Sequence, residues 1–162
     1  MTFNNDFSEN TVDPDPFVQF KMWYNEHLTS DIAIPEAVTL ATSAKDGKVS
    51  ARTVLLKGFN ENGFVIFTNY NSRKGSQLLS NPFAALLFYW PESGRQIRIE
   101  GITEKVGDID SESYFKTRPR ESQLSAWASE QSKVIQSRQY LENLYDLYKN
   151  RYSEKPVEKP QH

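Results

Sequence analysis

Between residues 37 and 106 the chain reads as a series of short strands broken by tight polar connectors, and this pattern limits its folds more than any other feature. Five segments, Ala37–Ser43, Val49–Phe59, Phe64–Tyr70, Phe83–Trp90 and Gln96–Val106, are rich in Val, Ile, Leu, Thr and Phe. Three of the breaks between them are KDGK, NENG and PESG. A glycine after Asp, Asn or Ser supplies the backbone freedom of a hairpin turn, so strands joined this way pair antiparallel. The remaining break, from Ser72 to Pro82, reads as a short helix with Ser72 as N-cap and Asn81-Pro82 as its stop. Five mostly meandering strands sealed by a short helix predict a small barrel, because closure removes the exposed edges of so compact a sheet.

Helices flank these strands. Asp15-Pro16 has the form of an N-cap followed by proline at the first helical position, with Phe17, Phe20, Trp23, Tyr24 and His27 or Leu28 recurring at helical spacing. Downstream, a helix is expected from Asp108 or Asp110 through Ser113, Tyr114 and Phe115, interrupted at Arg118-Pro119-Arg120. After Ala126-Trp127 a long helix is marked by Val134, Leu141, Leu144 or Tyr145, Tyr148 and Tyr152. The fold class expected is therefore α+β, mainly β. Residues 1–14 read as a loose arm, 15–152 as a single domain and 153–162 as a Pro-containing, linker-like tail.

Composition narrows the function. A chain of 162 residues has room for one domain, and its 19 basic and 21 acidic side chains lack the footprint of a general nucleic-acid binder. With no cysteine and only His27 and His162, it lacks a thiolate nucleophile, a sulfur-held metal and most Ser-His-Asp arrangements. Chemistry here is expected to rest on a bound cofactor, with no metal. No apolar run is long enough for a membrane span and MTFNNDFSEN is unlike a signal peptide, so a cytoplasmic protein is expected. Charge is uneven along the chain: residues 1–46 carry two basic and eight acidic groups, residues 47–100 seven basic and three acidic. The strand region is locally cationic, which points either to a solvated face or to anionic ligands.

Three motifs could hold anions. In Arg52-Thr-Val-Leu-Leu-Lys57 the odd spacing sends the two cations to opposite faces of a strand unless a bulge intervenes, so they could serve two anions across a shared wall. Thr68-Asn-Tyr-Asn-Ser-Arg-Lys74 runs from a strand into a helix start, where backbone N–H groups, Arg73 and Lys74 suit a phosphate. Arg118-Pro-Arg120 with Ser122 and Tyr114 offers guanidinium and hydroxyl donors, although basic residues at a helix end also favour its carbonyls. Gln96 and the Gln131-Ser132 pair add uncharged donors and acceptors suited to an amide-bearing ring.

From Asp15 to about Tyr152, in order, spacing and residue type, the chain resembles the pyridoxine (pyridoxamine) 5'-phosphate oxidase family through DPFVQFKMWY, RTVLLK, FTNYNSRK, NPFAALLFYW, RQIRIEG and YFKTRPRESQLSAWASEQS. The resemblance implies an antiparallel, FMN-binding split β-barrel that forms a homodimer. It implies FMN contacts from Arg52, Thr53, Val54, Leu55, Leu56, Lys57, Phe67, Thr68, Arg73, Lys74, Gln96, Gln131 and Ser132. Lys57, Tyr114, Arg118 and Ser122 match the residues around the substrate phosphate. The implied reaction is oxidation of pyridoxamine or pyridoxine 5'-phosphate to pyridoxal 5'-phosphate, with O2 reoxidising the flavin to give H2O2. No catalytic side chain is assigned. The family's Trp-Gly-Gly strand, its terminal Arg-Leu-His-Asp-Arg stretch and its N-terminal Arg and Tyr have no counterpart here. The alternative expectation is thus a barrel that binds FMN or pyridoxal phosphate with little or no oxidase turnover.

Overall fold

The computed structural model describes residues 8–161, which fall into two compact units. The first holds the chain up to Thr42 with Val49–Ile66 and Phe83–Gly101; the second holds Ser43–Lys48, Phe67–Pro82 and the chain from Ile102 onward. Of the expected N-terminal arm, residues 1–7 lie outside the described part. Residues 8–14 are tied down locally, Thr11 N donating to Ser8 O and Asp13 N to Gln19 Oε1.

The first unit is a curled antiparallel sheet covered by one helix. Helix α1 (Pro16–Leu28) begins as expected, with Asp15 accepting from Phe17 N and Pro16 in the first turn. Strands β1 (Ala37–Ser43), β2 (Val49–Asn60), β3 (Gly63–Ile66), β4 (Phe83–Trp90) and β5 (Arg95–Ile102) lie in the order β3-β2-β1-β4-β5. The central pair aligns Thr39 with Leu87 and Leu40 with Leu86. Gly47 (φ +81°) and Gly94 (φ +65°) take the left-handed backbone that the KDGK and PESG turns require. On β1 alternate side chains Val38, Leu40 and Thr42 are buried. Phe20 of α1 closes the core with edge-to-face contacts to Phe59, Phe64 and Phe88 at 4.8, 5.0 and 5.1 Å.

The second unit is helical: α2 (Arg73–Ser80), α3 (Asp108–Thr117), α4 (Arg120–Ala128) and α5 (Arg138–Arg151). Phe115, Leu124, Tyr152 and Val157 form its buried cluster, with Ala126, Trp127, Tyr145 and Tyr148 packed against it. Burial of Val157 shows that the tail beyond Tyr152 is not a free linker, because its backbone and one apolar side chain dock on α3 and α4.

Three expected boundaries move. Strand β3 ends at Ile66 rather than Tyr70, since Asn69 Oδ1 accepts from Asn71 N and Ser72 Oγ donates to Asn69 O, diverting the backbone into a turn. Strand β5 ends at Ile102 rather than Val106, where Thr103 N and Oγ1 both donate to Pro82 O. Helix α5 starts after Ser137, which caps it by accepting from Tyr140 N, so Val134 is fully exposed outside the helix. Among the described residues no helix is long and apolar enough to cross a membrane.

Candidate functional site

In the first unit, β2 carries Arg52 and Lys57 on opposite faces, as their spacing predicts: burial alternates along the strand, and a register shift against β3 falls between Leu56 and Gly58. The Arg52 guanidinium donates to Leu40 O at 3.0 Å and Thr42 Oγ1 at 2.8 Å, so it is oriented by the neighbouring strand. Thr53, Leu55 and Lys57 share the exposed face. Lys57 Nζ lies 3.9 Å from Glu36 Oε1, a partly exposed pair that leaves the ammonium available to an anion. Leu56 is only 2% exposed and its N–H donates to Glu36 O, so its side chain belongs to the core. Gln96 is exposed on β5.

His27, the one histidine inside the described residues, is structural. Its Nε2 lies 3.1 Å from Pro35 O and its ring stacks on Trp90 at 4.7 Å. Burial pushes the imidazole pKa below its ordinary value, against weaker opposing effects of the Pro35 hydrogen bond and Glu92.

The second unit gathers most of the remaining candidates. The Phe67 and Tyr114 rings stack face to face at 3.9 Å and 6°. Thr68 Oγ1 is buried without a hydrogen-bond partner among the described residues. The turn that follows wraps tightly over the start of α2: Ser72 is fully buried and accepts from Gly75 N, and a Cβ on Gly75 would sit 2.3 Å from Tyr70 O. Only glycine fits there. Arg73 is exposed on the first turn of α2, where the helix dipole favours an anion. Lys74 Nζ donates to Gln131 Oε1 at 2.7 Å, bringing together two candidates 57 positions apart. Ser132 beside it adopts φ +69°.

Tyr114 on α3, Arg118 at its C-cap and Ser122 in the first turn of α4 line one helix–helix corner. Arg118 Cζ lies 5.8 Å over the Phe115 ring, and among the described residues its guanidinium has no carboxylate or carbonyl partner. Arg120 differs. Its guanidinium donates to the carbonyl of Tyr152, the C-cap of α5, so of the Arg118-Pro-Arg120 pair only Arg118 is uncommitted. Gly75 belongs to none of the anion-holding residue types, so its role comes from the packing around it. Its signal was a glycine in the first turn of a short helix, where it lowers helix propensity and asks for a packing reason.

The curled five-stranded antiparallel sheet is that of the split-barrel fold class. PhzG from Burkholderia lata 383, solved in complex with tetrahydrophenazine-1-carboxylic acid, shares this fold with a TM-score of 0.89 and 24% identity, over 98% of this chain and 78% of that one. A pyridoxamine 5'-phosphate oxidase-related, FMN binding protein from Nostoc punctiforme PCC 73102 matches with a TM-score of 0.61 and 18% identity, over 81% of this chain and 73% of that one. In sequence, the family model described as pyridoxamine 5'-phosphate oxidase matches residues 25–146. The pyridoxine/pyridoxamine 5'-phosphate oxidase of Nostoc sp. PCC 7120 is 50% identical over 155 residues, 96% of this chain and 72% of that protein. The Burkholderia multivorans enzyme of the same name is 52% identical over 147 residues, 91% and 69%. The chain belongs to the pyridoxamine 5'-phosphate oxidase family.

Proposed function

We propose that this chain binds FMN and uses it to oxidise pyridoxamine or pyridoxine 5'-phosphate to pyridoxal 5'-phosphate, with O2 as final acceptor and H2O2 as product. The observation that carries the reading is the stack of Phe67 on Tyr114, which joins a residue assigned to the flavin to one assigned to the substrate phosphate. The residues present suit a phosphorylated cofactor: the orphaned Thr68 hydroxyl and the Arg73 and Lys74 cations stand at the loop and helix start that Gly75 lets close.

Bound FMN supplies the hydride acceptor. Arg73 and Lys74 hold its phosphate by charge-assisted hydrogen bonds, supported by the α2 dipole. Gln131, Ser132 and Gln96 offer uncharged donors and acceptors to the polar edge of the ring system. Along β2, Arg52, Thr53, Val54, Leu55 and Lys57 complete the cofactor contacts, while Leu56, with its side chain in the core, contributes main chain. In the second unit Tyr114, Arg118 and Ser122 would grip the substrate phosphate with one cation and two hydroxyls, and Lys57 of the first unit matches a further cation of the family's pattern. Their task is placement, since hydride transfer needs reacting atoms held within about 3 to 3.5 Å.

We also infer a homodimer working in the cytoplasm. Leu55, Phe83 and Tyr89 are 39%, 63% and 66% exposed, more apolar surface on one sheet than water favours. Titration of the purified chain with FMN, followed by aerobic turnover of pyridoxamine 5'-phosphate with detection of H2O2, tests the reading. A yellow protein without turnover would be a binding protein and would overturn the oxidase assignment.

A further inference from the structure

We propose that Arg120 is a positioning residue for the substrate-phosphate corner, acting by strapping residues 152–160 across α3 and α4. The inference rests on the assignment of Tyr114, Arg118 and Ser122 to that phosphate.

Arg120 opens α4, and its guanidinium reaches the Tyr152 carbonyl and, through Nη1 at 3.4 Å, the Lys155 carbonyl. The first acceptor is the C-cap of α5, where the helix dipole favours a cation, and the second lies three residues further on, in the segment that leaves the helix. A guanidinium fork can serve two such carbonyls at once, which a single ammonium cannot do with the same geometry. Two further contacts hold the same stretch. Tyr152 and Val157 are buried with Phe115 and Leu124, and Trp127 Nε1 donates to Glu158 O at 2.8 Å. Lys159 Nζ at 4.0 Å from the exposed Asp108 adds little.

The positions of these anchors carry the argument. Phe115 follows Tyr114 directly, Arg120 lies midway between Arg118 and Ser122, and Leu124 lies two residues beyond Ser122. Phe115 is also the ring under the Arg118 guanidinium. The strap therefore presses on the residues adjoining each proposed phosphate donor in this unit. Arg120, committed to carbonyls, acts through the corner rather than on the anion.

The test uses the full chain and its Arg120→Gln, Arg120→Lys and Val157→Ala variants. Affinities for pyridoxal 5'-phosphate and for FMN are measured by calorimetry, and strap release by the rate of Glu-C protease cleavage after Glu154 and Glu158. Arg120→Gln and Val157→Ala should each speed cleavage and weaken pyridoxal 5'-phosphate about tenfold, with FMN affinity within about twofold of the parent. Arg120→Lys, which keeps one donor, should recover part of the loss. Faster cleavage with unchanged pyridoxal 5'-phosphate affinity would overturn the strap's role, as would equal losses for both ligands. If Arg120→Gln does not fold, Val157→Ala decides by the same criteria. A parent chain that binds FMN but not pyridoxal 5'-phosphate would overturn the assignment of the corner itself, and the inference with it.

Discussion

At the scale of single residues, what separates the cations of this chain is what each already touches. Arg52 is oriented by Leu40 O and Thr42, and Arg120 is engaged with the end of α5, while Arg73 is exposed and the half-buried Arg118 lies over the Phe115 ring. Arg73→Ala should weaken FMN roughly 10- to 150-fold, the effect of losing one charge-assisted phosphate contact, with little change in thermal stability. Calorimetry giving equal affinities would remove Arg73 from the cofactor set. A second expectation concerns His27, whose folded-state pKa is lowered by burial. The unfolded chain then takes up a proton at higher pH than the folded chain. Stability should fall as pH drops from about 7 through the ordinary histidine value and level off below the folded-state pKa. Denaturant midpoints between pH 7 and 5 should show this slope, and His27→Phe, which keeps a ring against Trp90, should reduce it. Arg73 and Arg118 were legible as candidates because residue type and motif position are written in the chain. The fate of Arg120 was not, because its acceptors lie 32 and 35 residues downstream.

At the scale of elements, local chemistry explains both what was readable and what was not. Asp15 and Ser72 cap α1 and α2 as expected, since an N-cap bond spans only two or three residues. The end of β3 was misplaced because the Val-Ile-Phe-Thr run favours a strand while Asn69 and Ser72 bond their own backbone and turn it. The start of α5 was misplaced because Val134 continues the apolar spacing of a helix that Ser137 caps three residues later. The docked tail is not legible in the sequence because Val157 is a single apolar residue among prolines and charges, with no period to mark it. The turn at 67–72 and helix α2 meet at Gly75, which yields a sign test. Helix propensity alone makes Gly75→Ala stabilising by about 1 kcal/mol. Collision of the new methyl with Tyr70 O reverses this, so we expect a lower melting temperature, about 1 to 3 kcal/mol of lost stability and weaker FMN binding. A raised melting temperature would show that the turn yields easily and does not set the loop.

At the scale of the whole molecule, the antiparallel five-stranded sheet was legible from its hairpin connectors, and the split-barrel class from the resemblance that the comparisons bear out. The composition of each compact unit is not written in strand periodicity, because each draws its residues from distant parts of the chain. The exposed Leu55, Phe83 and Tyr89 lead us to expect a dimer in light scattering at micromolar concentration. A monomer that binds FMN tightly would contradict it. The central proposal is that this chain would hold FMN, which would supply the hydride acceptor, and that Tyr114, Arg118 and Ser122 would hold the substrate phosphate, with Lys57 matching a further cation of the family's pattern. Its most direct test is anaerobic stopped-flow mixing of the FMN-loaded chain with pyridoxamine 5'-phosphate, following flavin absorbance. The account predicts bleaching of the flavin that saturates with substrate, appearance of pyridoxal 5'-phosphate, and weaker saturation in Arg118→Ala. A flavin that stays oxidised at saturating pyridoxamine 5'-phosphate would contradict it.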